Sequence, residues 1–364
     1  MATIGILFAI LLVAYILRLA YSKGCLNNLD AQVSISAASA TEGDTLTLTE
    51  VLTNNKWLPL PWVSLKFRTG KELVFSSGTL ASDAHYRNDL FHILMHQKIT
   101  RRISFDCSKR GFYSIDGLEL TAWDILMEQK YIRRLPCNVC LTVYPSTIPL
   151  PDMEYLCTRV YGQLRTRHPI NPDPFSFRGI REYSPNDPMK AINFKASARG
   201  MGLMINVWDF CNARQVAILL DVGRHVLWHN ESLEERAIKI AASAAKKMAD
   251  IDTPTRFVTN GKSSISGNDT NIPEGLGPQH LRSILESLSY VDTSNQDITP
   301  ITHTLDNLAT AGHHDPEYWL ITPYYSKEVE ESFLKIKKTG ARVVWIMPAP
   351  KPRETDVYKD IIFV

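Results

Sequence analysis

The 364 residues carry 40 Lys and Arg against 38 Asp and Glu, a net charge of +2, with 45% hydrophobic and 21% charged side chains. A chain of this length exceeds one ordinary core, so two folded domains are expected, and its composition is that of a globular protein rather than a disordered chain or a polytopic transporter. Charge this evenly balanced lacks the dense positive field used in non-specific nucleic-acid binding, so no nucleic-acid partner is expected.

Met1 to Leu17 contains no charged side chain, and the apolar run resumes after Arg18 with Leu19, Ala20 and Tyr21. About 20 apolar residues cross a bilayer, so residues 1–22 are expected to form a transmembrane anchor, with Arg18 snorkelling to the headgroups and Tyr15 and Tyr21 at the interface. A cleaved signal peptide would need a positive segment first and a small-residue cleavage site after, and neither is present. Arg18 and Lys23 follow the span and nothing basic precedes it. The positive-inside rule therefore places the folded part of a single-pass cell-membrane protein in the cytoplasm. Cysteines at 25, 107, 137, 140, 157 and 211 have no framework spacing, as suits a reducing compartment. Cys137-Asn-Val-Cys140 stands without a second pair, and residues three apart on a strand point to opposite faces, so zinc or redox chemistry is not expected there.

From 28 to 150 short alternating strands are separated by turns: Val33 and Ile35; Leu46 and Leu48 after Glu42-Gly43-Asp44; Val63, Leu65 and Phe67; Ile99, Ile103 and Phe105; then Leu118 and Leu120 after a turn at Lys109-Arg110-Gly111. Trp57-Leu-Pro-Leu-Pro-Trp62 holds two prolines that cannot donate to a ladder, which assigns it to an edge or a connection. His92 and His96 would share a face only on a helix, and the pattern there is strand. About seven strands of this kind make an immunoglobulin-like β-sandwich.

Residues 151–213 read as a linker. Within it, Arg181, Glu182, Asp187, Lys195 and Arg199 crowd charge beside an apolar strand at Leu203 to Val207, and Ser184-Pro185-Asn186-Asp187 is a turn whose Asp187 caps a short helix. An ion-pair network fixing the segment is the plainer expectation, and a docking surface for another protein is the alternative.

From 214 to 364 strands alternate with helices. Gln215 to Leu220 is a continuous apolar run ending at Asp221, as in a buried parallel strand. Ser232 with Glu235 makes a capping box, ahead of a stripe at Leu233, Ala237, Ala241, Ala244 and Met248. Arg256 to Thr259 is a strand, Leu281, Ile284, Leu285 and Leu288 a helical stripe, and Thr299-Pro300 opens a helix through Leu308. Tyr318 to Ile321 is a strand, Ser326 opens a helix closed by Gly340, and Arg342 to Ile346 is the last clear strand. This order predicts a doubly wound α/β domain, and the whole an α+β multidomain chain.

The linker motif resembles the hallmark of the family known as domain of unknown function 58 (DUF 58), R-E-Y-x-P-G-D-x-x-R-x-I-x-W-x-x-S-A-R. It matches at Arg181, Glu182, Tyr183, Pro185, Asp187, Ile192, Ser197, Ala198 and Arg199, and departs at Asn186, Lys190 and Phe194. Arg110-Gly111-Phe112-Tyr113, Trp123-Asp124 and Val143-Tyr-Pro145 stand where the family has further short signatures. The resemblance implies a von Willebrand factor A-like C-terminal domain and a MoxR-type AAA+ ATPase as partner in assembling or maturing other proteins. In metal-binding A domains the first strand ends in D-x-S-x-S and a later strand in Asp, because a hard cation needs clustered oxygens. Here Asp221 keeps the first position, Gly223 and His225 replace both serines, and Thr322 stands for the second Asp. That is a degenerate metal site, and neither metal nor cofactor is expected.

No nucleophile-base set has the required sequence context, so a binding or scaffold role is the main expectation. One rival is a hydrolase or transferase with its site near Asp221, Thr259 and Thr322 at the carboxyl edge of the sheet. The other is an exported cell-surface adhesion module.

Overall fold

The computed structural model describes residues 2–76, 86–124, 127–148, 172–184, 189, 192–199, 202–210, 215–223, 230–293, 298–311, 317–348 and 361–363. The chain divides into two compact units, Met1–Ser146 with Leu285–Val291, and Thr147–Ile284 with Asp292–Val364.

The first unit opens with helix α1 (Ala2–Gly24). Its described apolar side chains up to Leu19 stand in the open, Ile4 at 71% exposure and Phe8 at 68%. Among the described residues no helix is long and apolar enough to cross a membrane, so the expected span rests on the sequence of residues 1–22. The end of α1 is built into the β-rich part of its unit. Tyr21 and Cys25 are buried in the same core as Leu29, and the Tyr21 hydroxyl donates to the Pro59 carbonyl at 2.7 Å. Lys56 Nζ donates to the carbonyls of Gly24 (2.8 Å), Asn27 (2.9 Å) and Cys25, while Arg133 donates to those of Leu26 (3.0 Å) and Leu29. A helix end exposes carbonyls with no partner inside the helix; here Lys56 serves that of Gly24, and Arg133 serves the segment that follows. Residues 23–27, between the expected anchor and the sandwich, thus belong to a bonded joint.

Among the described residues of this unit, nine strands lie in two sheets. β1 (Leu29–Ile35), β3 (Thr45–Asn54), β7 (Lys98–Cys107) and β5 (Leu73–Phe75) form one, in the order β1-β3-β7-β5; β2 (Ser39–Thr41), β9 (Lys130–Tyr144), β8 (Gly111–Trp123), β4 (Leu60–Arg68) and β6 (Tyr86–Ile93) form the other, in the order β2-β9-β8-β4-β6. Alternate residues meet in one core, among them Leu48, Leu52, Leu65, Phe91, Phe105, Leu120 and Val143, which is the expected sandwich. Of the two prolines, Pro59 lies in the connection before β4, as expected. Pro61 lies inside β4, at the register shift between Leu60 and Val63 toward β6 and ahead of Val63, where the pairing with β8 begins, and a bulge is where a missing N–H does no harm. Arg110, 5% exposed, donates to the carbonyls of Leu288 and Val291 of the same unit, and the Tyr113 hydroxyl closes the turn by donating to Lys109 O at 2.9 Å.

The second unit contains the segment expected to be a linker, which instead pairs as an antiparallel hairpin of β10 (Pro172–Glu182) and β11 (Met204–Phe210), with a one-turn helix α2 (Phe194–Ser197) between them. Its main sheet joins β12 (Val216–Leu220), β13 (Thr255–Lys262), β14 (Asp269–Gly275), β15 (Glu317–Ile321), β16 (Val343–Met347) and β17 (Ile361–Phe363) in the order β14-β13-β12-β15-β16-β17. All neighbours are parallel except β14 on β13. Helices α3 (Glu231–Asp250), α4 (Pro278–Tyr290, whose residues from Leu285 on belong to the first unit), α5 (Ile301–Ala311) and α6 (Lys327–Lys338) connect the strands. Ala217, Leu219, Tyr318 and Leu320 pack with Ile301, Leu305, Val329 and Phe333 of α5 and α6, leaving Val216, Ile218 and Leu220 for the other face. Every residue of β12 is buried, as the continuous apolar run required. The N-cap of α3 is Asn230, whose side chain accepts from Ser232 N, rather than the expected Ser232; Asn is as strong a cap and stands at the true boundary. Gly340 takes φ +86 after α6, the left-handed position expected of it.

Candidate functional site

The order of the parallel strands reverses between β12 and β15, and open α/β sheets collect ligands in the crevice beyond the carboxyl ends of strands at such a switch point. Asp221 directly follows β12 and Thr322 directly follows β15. The Asp221 N–H donates to the Ile321 carbonyl at 2.9 Å, which sets these two sequence-predicted positions side by side.

Both are fully buried. Asp221 Oδ1 accepts from Gly223 N at 2.9 Å and from Asn260 Nδ2 at 2.7 Å; Asn260 also donates to Thr299 O at 3.1 Å and accepts from Val222 N at 2.9 Å. Thr322 Oγ1 accepts from the Trp345 indole at 2.7 Å, and Thr259 Oγ1 accepts from Gly261 N at 3.0 Å. These N–H groups already take up part of the oxygen lone pairs that a cation would need. The donor set thus fits a closed hydrogen-bonded cluster better than a metal cage, and among the described residues no three His, Cys, Asp or Glu side chains gather as metal ligands. Asn260 was not singled out in the sequence. Its position one residue beyond the expected strand Arg256–Thr259, beside Asp221, was the available signal.

The motif of the hairpin lies in two parts. Arg181 and Glu182 pair with Ile205 and Met204 across the hairpin, and Tyr183 N donates to Leu203 O at 2.8 Å. Asn193 caps α2 by accepting from Ala196 N at 2.9 Å and donates to Asn206 Oδ1 at 2.7 Å. Ser197 Oγ donates to Asn193 O and accepts from Met204 N, both at 2.8 Å. Ser197 is thereby a structural pin. Arg181, Glu182, Lys195 and Arg199 are exposed, and Phe194 is 75% exposed. The side chains of these four charges reach solvent. Asp187, His225 and the His313-His314 pair lie outside the described residues.

A second concentration of polar groups sits inside the sandwich. The alternation of β3 turns Glu50 inward between Leu48 and Leu52, and that of β6 does the same for Arg87 and Asp89. Arg87 Nε lies 2.5 Å from Asp89 Oδ2 and 3.9 Å from Glu50, and Arg101 Nη1 lies 3.1 Å from Asp89. The two guanidinium groups stack on Phe75 and Phe91 at 4.5 and 4.2 Å. Burial pushes the Glu50 carboxyl up to about 8, the negative charge of Asp89 adds to the rise, and Arg87 and Arg101 oppose it. Cys137 is half-buried and Cys140 exposed on β9, both free.

No protein-family model and no curated protein matches the chain. Among solved structures, the chain is similar to a non-cellulosomal cohesin from Archaeoglobus fulgidus at 9% identity, over 35% of this chain and 97% of that one, with a TM-score of 0.23. It is similar to a type I cohesin from Pseudobacteroides cellulosolvens at 15% identity, over 33% and 95%, with a TM-score of 0.22. A CARDB domain from Pyrococcus furiosus, in complex with di-metal ions, is similar at 13% identity over 32% and 93%, with a TM-score of 0.21. Scores this low say nothing of what this chain binds.

Proposed function

We propose that the chain is a membrane-anchored, cytoplasm-facing interaction protein, accessory to a MoxR-type AAA+ ATPase in the assembly or maturation of other proteins. One observation carries the choice of binding over catalysis. At the switch point, where an α/β enzyme would keep its reactive groups open, Asp221, Asn260 and Thr322 are buried and bonded to the fold itself. The exposed charges Arg181, Glu182, Lys195 and Arg199 supply a surface for a protein partner instead. The partner class follows from the resemblance of the hairpin motif to the DUF 58 hallmark, and the sheet order, with its antiparallel edge strand β14, agrees with the A-like domain that the resemblance implies. The anchor and its orientation follow from the uncharged run before Arg18 and Lys23. The test is affinity capture of the full chain from detergent-solubilised native membranes, with and without ATP. Co-purification of an AAA+ ATPase that is lost in an Arg181→Glu, Arg199→Glu variant supports the proposal; capture of no ATPase overturns it.

A further inference from the structure

The loops that receive the end of α1 carry apolar side chains outward. Trp57 is 79% exposed, Met127 52%, Leu94 49% and Met95 47%, whereas their neighbours Lys56, Asn54 and Asp124 turn inward to bond the fold. These loops are held around the helix. Lys56, next to Trp57, donates to Gly24 O and Asn27 O; Asn54 Nδ2 ties the two loops together by donating to Leu58 O at 3.0 Å and Leu94 O at 2.8 Å; and Glu128, next to Met127, lies 3.9 Å from Arg18. The Trp57 ring meets the His96 ring edge-on at 5.0 Å, which fixes it without covering it. His96 and Met127 hold φ of +48 and +57, which non-glycine residues seldom adopt.

We infer that this rim of Trp57, Leu94, Met95 and Met127 lies in the headgroup layer of the bilayer, making the end of the sandwich a membrane-contact surface. The inference rests on the proposed anchor and adds a consequence of the joint. The uncharged stretch ends at Leu17, and the bonded joint at Tyr21, Lys56 and Arg133 leaves no flexible tether between that end and the rim. The Met127 turn stands level with Arg18, where the uncharged stretch ends. The rim is therefore drawn to the depth at which tryptophan is favoured, with apolar body and polar N–H each in its own medium. A protein partner is the other conceivable occupant, and the experiment separates the two.

None of the 7 tryptophans lies in α1, so their fluorescence reports on the folded part alone. The full chain is reconstituted into vesicles of phosphatidylcholine and phosphatidylglycerol brominated on the acyl chain near the headgroup, and compared with unbrominated vesicles. Brominated lipid should quench the emission, and the Trp57→Phe variant, which floats with vesicles equally well, should lose at least half of that quenching. Equal quenching in both proteins, with flotation intact, overturns the membrane rim and leaves Trp57 to a protein partner. Failure of the chain to float with vesicles after a carbonate wash overturns the anchor and, with it, this inference.

Discussion

Glu50 sits on the inward face of β3 with both carboxyl oxygens shielded from water and Asp89 beside it, so the fold favours its protonated form. The unfolded chain releases that proton in the usual carboxylate range. A group raised in the fold contributes its stability fully at low pH and loses it as pH rises through its folded value. Thermal or urea unfolding should therefore show the protein losing on the order of 3 kcal/mol between about pH 5 and pH 8 through this residue. Glu50→Gln should flatten that window and raise stability at pH 8, and an unchanged slope would refute the assignment. At the other polar cluster, Asn260→Ala leaves Val222 N–H unpaired and removes a donor from Asp221. It should cost ~2–3 kcal/mol in denaturant titrations. The Asn260→Asp variant adds a second carboxylate where the amide stood, and should gain a Mg²⁺-dependent rise in melting temperature, whereas wild-type melts in EDTA and in Mg²⁺ should superimpose. Asp221 and Thr322 were legible because an apolar run ending in a polar residue marks the carboxyl end of a parallel strand. Glu50 was also within reach, since Leu48-Thr-Glu50-Val-Leu52 puts it on the apolar face, but that pattern alone does not say which cations answer it.

Among the elements, the joint after α1 makes the sharpest prediction. Lys56→Met keeps the buried stem but leaves the carbonyls of Gly24, Cys25 and Asn27 without their ammonium donor. It should weaken the joint by ~1–3 kcal/mol and raise proteolytic nicking at residues 24–28 several-fold, read by mass spectrometry of brief digests. The hairpin motif predicts the opposite. Because Arg181 is exposed and donates to the carbonyl of Glu182, Arg181→Ala should change stability by under ~1 kcal/mol, seen as a nearly unmoved unfolding midpoint. Elements with strong periodicity were readable in the sequence: β12, α3, β15, α6 and β16 fall where the apolar pattern puts them. The hairpin β10–β11 looks like a linker in the sequence because its meaning lies in a partner strand more than twenty residues away, which no local period announces. β14 is hidden in the sequence for a different reason. Asp269 to Gly275 has one large apolar residue and a proline, a composition tolerated only because this strand lies at the antiparallel edge of its sheet.

For the whole molecule, sidedness is the prediction that governs the rest. Ser264 is exposed in the turn between β13 and β14, so a Ser264→Cys protein with its native cysteines replaced by serine offers one thiol to an impermeant reagent. Labelling is expected only after intact cells are permeabilised; labelling without permeabilisation would put the domains outside and remove any AAA+ ATPase from reach. The joint at the end of α1 also imposes an order on biosynthesis. Arg133 meets the carbonyls of Leu26 and Leu29 across 107 and 104 positions of chain. At ribosomal rates of about 5–20 residues per second, roughly 5–20 s separate the synthesis of Leu26 and Leu29 from that of Arg133. Lys56, which serves Gly24, Cys25 and Asn27, is made well inside that interval. The joint is thus tied in two steps, first by the lysine and then by the arginine, so a ribosome stalled before residue 133 would hold a nascent chain whose joint is only half fastened.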